Sequence, residues 1–215
     1  MRNRFAKTAL TAIGLAFGGG SAFADTLLDT GTPDPGWFGY IGYDIFINQS
    51  VAIAFTPDQD YTLDEIGVWI MSNDFDAPGR TFTLSLQEDA TPGGMTYPGG
   101  VAIESWDIAT SAVGWTPVLE TATSTLNPLL EAGTTYWVVA EGDELPGEDP
   151  VWVWGSSWEE QFVSILNAAS GPDWISGPSF GSAPGTIVSA TLVPEPATVG
   201  LMSMLALLAA AKRRS

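Results

Sequence analysis

Residues 81–87 read Thr-Phe-Thr-Leu-Ser-Leu-Gln, and this stretch shows most clearly what kind of fold the chain adopts. Phe82, Leu84 and Leu86 would lie on one side of an extended chain, because successive side chains of a β-strand point to opposite faces. The polar residues between them would lie on the other side. The pattern predicts a strand with one buried and one wet face, which is typical of antiparallel sheets.

The same period of two recurs from Asp25 to about Val193. The candidate strands cover residues 49–56, 63–70, 82–86, 101–108, 115–121, 135–141, 151–155 and 186–193. Turn clusters rich in Pro and Gly separate them. Only residues 159–169 are compatible with a short helix. Eight or nine short strands predict an all-β domain over residues 25–193, a single β-sandwich of the jelly-roll type.

Residues 1–24 have the layout of a secretory signal peptide. A basic start (Arg2, Arg4 and Lys7) precedes an apolar stretch over residues 9–17, and the segment ends in Ala22-Phe23-Ala24. The apolar stretch is too short for a stable membrane span, and small residues at Ala22 and Ala24 suit a signal peptidase. We therefore expect cleavage before Asp25. The alternative is an ordinary N-terminal helix.

The C-terminal segment, residues 194–215, differs in kind from the body. Val-Pro-Glu-Pro-Ala-Thr at residues 193–198 is followed by an apolar run to Ala211 and then by Lys-Arg-Arg-Ser. About fourteen helical residues reach roughly 21 Å, which is short of the roughly 30 Å hydrocarbon core. We predict a short transmembrane helix of marginal length. Its basic end would stay in the cytoplasm, with the acidic body outside.

This tail resembles the PEP-CTERM sorting signal in its Pro-Glu-Pro motif, the hydroxyl-bearing Thr198, the short apolar helix and the Arg-rich end. The resemblance implies processing by an exosortase, a membrane cysteine protease-transpeptidase of Gram-negative bacteria that make exopolysaccharide. It also implies that Pro194, Glu195 and Pro196 form a recognition element that the enzyme acts upon. The alternative is a plain C-terminal membrane anchor that follows a Pro-rich linker.

The body is similar to the surface domains called choice-of-anchor domains. The similarity lies in residues 49–55, 61–63, 84–86 and 130–137, which together span about half of the body. It implies a β-sandwich and carries no established enzymatic activity.

The charge of the body restricts its partners. Of the 25 acidic residues all except Glu195 lie between Asp25 and Asp173, whereas Arg80 is the one basic residue of that region. Nucleic acid is excluded as a partner because phosphate binding requires a basic surface. Anionic lipid headgroups are unfavourable for the same reason, whereas divalent cations and basic proteins remain open. Solubility of a surface protein is the simplest explanation of the charge.

The body also lacks the residues of several catalytic systems. The chain has no His and no Cys, and its lysines, Lys7 and Lys212, lie outside the body. Disulfides, thiol chemistry, His-based nucleophilic systems and Schiff-base lysines are therefore excluded. We expect no enzymatic activity and no catalytic residues. A polysaccharide hydrolase that uses two carboxylates stays open as an alternative.

A group of aspartates near one turn is a candidate metal site. Asp58, Asp60 and Asp64 lie close together in the sequence, and Ca²⁺ prefers oxygen ligands. No EF-hand spacing is present, and Asp also forms turns without any metal. We expect no cofactor, with a structural Ca²⁺ at these residues as the alternative.

Aromatic residues are the last feature. All nine tryptophans lie in the body. Trp152 and Trp154 lie two apart in a predicted strand and so on one side, with Trp158 nearby. Such indoles would form a platform for a saccharide, or else would pack in the core. Trp69, Trp106 and Trp137 lie in apolar strands and are predicted to be core.

These features predict a non-catalytic exported protein. It would be cut by signal peptidase, anchored transiently in the inner membrane and processed by an exosortase-type enzyme. Its final place would be the cell surface or the extracellular matrix of a Gram-negative bacterium, in association with exopolysaccharide. A carbohydrate-binding module and the carboxylate hydrolase are the alternatives.

Overall fold

The computed structural model describes residues 24–37, 39–157, 159–167, 173–180 and 182–194. These residues form strands, turns and loops, and no helix occurs among them. The strands are β1 (Ala24–Asp29), β2 (Gly42–Asp44), β3 (Gln49–Phe55), β4 (Tyr61–Ser72), β5 (Thr81–Asp89), β6 (Pro98–Ala109), β7 (Val118–Thr123), β8 (Leu129–Leu130), β9 (Tyr136–Gly142), β10 (Pro150–Val153), β11 (Glu160–Asn167), β12 (Trp174–Phe180) and β13 (Thr186–Leu192).

Two antiparallel sheets share these strands. Sheet A has the order β1-β13-β4-β10-β2, and β7 and β8 pair with the other edge of the long strand β4. Sheet B has the order β12-β11-β3-β9-β5-β6. The predicted all-β sandwich is therefore confirmed at the level of two packed antiparallel sheets.

The core lies between the sheets. Sheet B contributes alternate residues of β3, β5 and β9, including Ile53, Leu84 and Val138, and sheet A contributes residues such as Val68 and Trp152. The predicted alternation at residues 81–87 is confirmed, because Phe82, Leu84 and Leu86 are all buried in this cluster. Each Å² of apolar surface that is buried contributes about 25 cal/mol to stability. This burial is the main contribution that holds the two sheets together.

A bulge in β4 explains an irregular apolar pattern. Leu63 and Ile66 both face the core although they are three residues apart, which a regular strand does not allow. Their partners on β13 are Ala190 and Val188, and the register shifts between Ser189 and Ala190. One extra residue in β4 at this point returns the following apolar side chains to the core side.

Residues 159–169 were the one segment compatible with a short helix, and their described part, 159–167, contains no helix. Residues 160–167 form β11, which pairs with β3 on one side and β12 on the other. Val163 packs into the core, whereas Phe162 packs with Trp137 on the opposite face of sheet B. Because both faces of β11 meet apolar groups, the strand lacks the polar alternation that marks a half-exposed strand.

The two ends of the body lie side by side. β1 pairs with β13, with Ala24 opposite Thr191 and Asp25 opposite Ala190. The strands β1, β2 and β12 were not predicted from the sequence. Within the part of the chain that the structure describes, no helix is long and apolar enough to cross a bilayer. The predicted signal peptide before residue 24 and the predicted C-terminal helix lie outside the described residues.

Candidate ligand-binding cleft

A cleft of about 560 Å³ lies on sheet A, where β2, β10 and β4 run side by side. Val151 of β10 is opposite Asp44 of β2 on one side and Met71 of β4 on the other. Val151 and Met71 are buried and form, with Val153, an apolar cluster separate from the core between the sheets. These side chains give the cleft an apolar floor.

Two aromatic side chains, Tyr40 and Trp115, also line the cleft. Trp115 is 60% exposed, yet its indole N–H donates a hydrogen bond of 3.1 Å to Oδ1 of Asn73. The ring of Phe75 meets it edge-on, with the ring centroids 5.4 Å apart. The indole is therefore held in one orientation although it is open to solvent.

The backbone of Gly114 places Trp115 at this site. Gly114 has a φ of 58° and exchanges hydrogen bonds with the segment after β4: its N–H bonds to the carbonyl of Asp74, and its carbonyl accepts from the N–H of Ser72. A Cβ at this position would lie 2.8 Å from the ring of Phe75. Glycine is required here because the backbone is left-handed and because the ring of Phe75 leaves no room for a Cβ.

Two carboxylates meet at one end of the cleft. The side-chain amide of Asn73 donates to Oδ1 of Asp44 at 3.2 Å and to Oδ1 of Asp149 at 3.3 Å. Asp44 is exposed, whereas Asp149 is only 1% exposed and also accepts from the N–H of Gly147. Oδ2 of Asp149 is buried and has no hydrogen-bond partner among the residues that the structure describes.

The surroundings of Asp44 and Asp149 disfavour a negative charge on both side chains at once. Partial burial and then the charge of Asp149 raise the pKa of Asp44, and the hydrogen bond from Asn73 opposes this shift only in part. Arg80 lies elsewhere, since its guanidinium pairs with Asp74 at 2.7 Å, Glu148 at 2.8 Å and Glu144 at 3.5 Å. Neither Asp44 nor Asp149 has a basic partner within the described ranges.

This arrangement favours binding over acid–base catalysis. A glycosidase needs two carboxyl groups that both reach the scissile bond or its attacking water. Asp149 is sealed from solvent, and the amide of Asn73 bonds to both acids. An aromatic surface beside one accessible carboxylate suits recognition of a small ligand.

The structure places Trp152, the first residue of the suggested tryptophan platform, in the core. Trp152 is fully buried, and its indole N–H donates to the carbonyl of Gly185 at 3.0 Å. A buried indole offers no face to a saccharide, so the structure corrects this prediction for Trp152. Trp154 is half-buried, with its ring centroid 5.7 Å from that of Tyr43. Trp158 lies outside the described residues.

The predicted core tryptophans divide into two groups. Trp137 is fully buried, whereas Trp69 and Trp106 are half-buried against apolar clusters.

The three aspartates singled out for calcium make separate contacts. Asp58 accepts from the hydroxyl of Tyr61 at 3.2 Å, Asp60 from the N–H of Ala132 at 2.9 Å and Asp64 from the hydroxyl of Thr191 at 2.8 Å. Over the described ranges no three Asp, Glu, His or Cys side chains converge as a metal site. Each aspartate thus binds a different part of the chain.

The predicted sorting residues lie at the limit of the described chain. Pro194 is exposed two residues after the end of β13. Glu195 and Pro196 lie outside the described residues, as does Ala22 of the predicted cleavage site. Ala24 and Asp25 are exposed at the start of β1.

Sequence reasoning missed Tyr40, Asp44 and Trp115 as site residues. It also assigned no role in a site to Asn73 or Asp149. The one local signal at Trp115 is its position between Gly114 and Thr116-Pro117, which is typical of a turn and unusual for a core tryptophan.

No protein-family model matches the chain, and no curated protein matches it either. The interpretation of the cleft therefore depends on its own geometry.

Proposed function

We propose that this chain is an exported, non-catalytic protein of the bacterial cell surface or exopolysaccharide matrix. In this proposal the signal peptide directs export, and signal peptidase cuts before Asp25. The PEP-CTERM tail then anchors the protein transiently in the inner membrane and presents Pro194, Glu195 and Pro196 to an exosortase-type enzyme. The cargo is the sandwich over residues 25–193, which we assign to the jelly-roll type.

The observation that carries this proposal is the pairing of the first and last strands. Asp25, the residue after the predicted cleavage site, lies opposite Ala190, four residues before Pro194. Both processing points would therefore lie at the same end of two neighbouring strands of sheet A. Removal of either terminal segment would leave the central strands of both sheets paired as they are.

The exit of the tail supports the same proposal. The N–H of Val193 bonds to the carbonyl of Asp60 at 2.9 Å, which is the last backbone hydrogen bond of the body among the described residues. Pro194 follows, exposed and without an N–H group to donate. Pro194, where the recognition motif would start, is therefore accessible to an enzyme.

The carboxylates at the cleft lined by Tyr40 and Trp115 do not favour catalysis there. Asp44 lines the cleft and reaches the solvent, whereas Asp149, which shares the amide of Asn73 with it, is buried. The body also contains no His, Cys or Lys. A hydrolase needs two accessible acids in one cleft, so this alternative would have to use another site, such as the pocket lined by Asp107, Glu141 and Asp143.

Fractionation of a Gram-negative host that carries an exosortase tests the proposal. The full chain would be compared with a chain that lacks residues 194–215 and with the double variant Pro194→Ala/Glu195→Gln. We expect the full chain to lose the mass of both terminal segments and to reach the surface. The deletion variant should be released into the periplasm, and the double variant should keep its tail and remain in the inner membrane.

Pro78→Ala is the matched control, since Pro78 is exposed in a turn far along the chain from the motif. It should be processed like the unmodified chain. Identical distribution of the full chain and the deletion variant would refute sorting through the tail. Retention of residues 1–24 in the surface protein would refute the cleavage site.

A further inference from the structure

We propose that the cleft lined by Tyr40 and Trp115 binds an amino sugar, with the ammonium group of the sugar at the carboxylate of Asp44 and its ring face on Trp115. The inference depends on the cleft alone. It is independent of the tail, so that its failure would leave the sorting proposal untouched.

The aromatic surface is prepared before any ligand arrives. The bond from the indole of Trp115 to Asn73 and the edge contact with Phe75 fix the plane of the ring, and 60% of the residue is open to solvent. An aromatic ring that need not be ordered on binding loses less entropy there. The C–H face of a sugar ring packs well on such a surface, and the apolar side chains of Met71 and Val151 extend it.

The negative charge at the end of the cleft favours a positively charged group on the ligand. Asp44 is accessible there, and Asp149 lies behind it with one oxygen buried and unpartnered within the described structure. Asn73 supplies hydrogen bonds to both acids and no charge. Arg80 is held by three other acids. A primary ammonium group provides one positive charge and three donors, and it is also attracted to the faces of aromatic rings.

The cleft combines an aromatic surface with a carboxylate. A neutral sugar would use only the first, and a metal ion would use only the second. A neutral sugar would stack on Trp115 but would leave both carboxylates without a positive charge. A Ca²⁺ ion requires six to eight oxygen ligands, whereas Asp44 is the one accessible carboxylate and the Asn73 nitrogen lies between the two acids. The apolar floor and the aromatic rings would also contribute nothing to an ion.

The cleft is large enough for one sugar ring. Its volume of about 560 Å³ has room for a pyranose with its substituents.

The test is a titration of the full chain with glucosamine, N-acetylglucosamine and glucose, followed by saturation-transfer NMR at a pH where the amine is protonated. These ligands share one ring and differ in the group on one carbon, which is a charged ammonium, a neutral acetamide or a neutral hydroxyl. We expect glucosamine to bind about tenfold more tightly than the other two. Added salt should weaken its binding, because the attraction at an exposed acid is screened.

Two variants separate the two halves of the site. Asp44→Asn should reduce glucosamine affinity to that of glucose. Trp115→Ala should weaken binding of all three sugars, and Trp115→Phe should recover part of it because it restores an aromatic face. Asp76→Asn and Trp37→Ala are the matched controls, because they remove an exposed acid and an exposed tryptophan that do not line the cleft.

Several outcomes would overturn the proposal. Equal affinity for glucose and glucosamine would make this a neutral saccharide site. Tighter binding of lysine amide than of glucosamine would indicate a basic peptide, and displacement of glucosamine by one equivalent of calcium chloride would indicate a metal site. Glucosamine binding that survives in a folded Asp44→Asn variant would also reject it, with the fold checked by the thermal midpoint.

Discussion

The indole N–H of Trp137 donates a hydrogen bond of 2.9 Å to Oδ2 of Asp89, across the neighbouring strands β9 and β5. The same carboxylate accepts from the N–H of Thr91 at 2.8 Å and from the N–H and hydroxyl of Thr96 at 2.6 and 2.8 Å. Asp89 therefore joins the turn between β5 and β6 to a fully buried tryptophan. Burial of Asp89 raises its pKa, but these hydrogen bonds to the ionised form outweigh burial and leave the pKa lowered.

Asp89→Asn should lower the free energy of unfolding by about 1–3 kcal/mol near neutral pH, because an amide cannot accept all four hydrogen bonds. The folded pKa of Asp89 is below its unfolded value of about 3.9, so its contribution is fully present above that pH and is lost as the pH falls through the folded pKa. Urea denaturation at neutral and acidic pH measures both effects. The difference from the unmodified chain should shrink in acid, and Glu88→Gln on the exposed face of β5 should show neither effect.

Glu104→Gln should destabilise the protein by a similar amount, about 1–3 kcal/mol. The buried carboxylate of Glu104 accepts from the hydroxyl of Ser124 at 2.6 Å, from Thr125 at 2.7 and 3.0 Å and from the N–H of Leu126 at 3.2 Å. Burial again raises the pKa, and these bonds outweigh it to give a lowered value. The stabilisation should therefore also fade in acid. The control is Glu131→Gln at an exposed turn, and equal urea midpoints for both variants would contradict this role.

Trp152→Ala should cost about 3–5 kcal/mol of stability, because it opens a cavity between the sheets and leaves the carbonyl of Gly185 without its indole partner. Trp37→Ala removes the same side chain at a position that is 93% exposed, and it should change stability by about 0.5 kcal/mol or less. Denaturant unfolding of the two variants measures this contrast. Similar losses for both would contradict the placement of Trp152 in the core.

Gly155→Ala should destabilise the fold by about 1–3 kcal/mol through overpacking. A Cβ on Gly155 would collide with the backbone carbonyl of Thr30, which is held by a hydrogen bond of 2.8 Å from the N–H of Ser157. Gly177→Ala in β12 is the matched control, because a Cβ there meets no atom within 4 Å. Thermal denaturation should show a clear loss for the first variant and little change for the second. A neutral Gly155→Ala variant would mean that these two loops are not in contact.

Arg80→Gln should loosen the segment between β9 and β10, because Arg80 joins Glu144 and Glu148 of that segment to Asp74 after β4. Its guanidinium is partly exposed, so the effect on global stability should be smaller than that of Asp89→Asn and should decrease in high salt. Limited proteolysis should detect faster cleavage within residues 143–148. Arg80→Lys retains the charge and should be cut at an intermediate rate, and an unchanged digestion pattern for Arg80→Gln would contradict the role.

The sequence by itself determined the class of the fold and the limits of its chemistry. The alternation of Phe82, Leu84 and Leu86 with polar residues depends only on the two-residue period of a strand, which is a local property. The Pro-Gly clusters placed most of the turns for the same reason. The missing His, Cys and Lys side chains excluded whole reaction classes without any knowledge of the structure.

Only the tertiary structure decided which surfaces cover which strand faces. The apolar character of β11 and of Trp152 is equally compatible with a helix, an exposed platform or a core, because a residue type does not specify what packs against it. The cleft shows the same limit, since Asn73 meets Asp44 and Asp149 across 29 and 76 positions of sequence. Pairing of β10 with both β2 and β4 brings these side chains together, and such long-range strand pairing leaves no local signal in the chain.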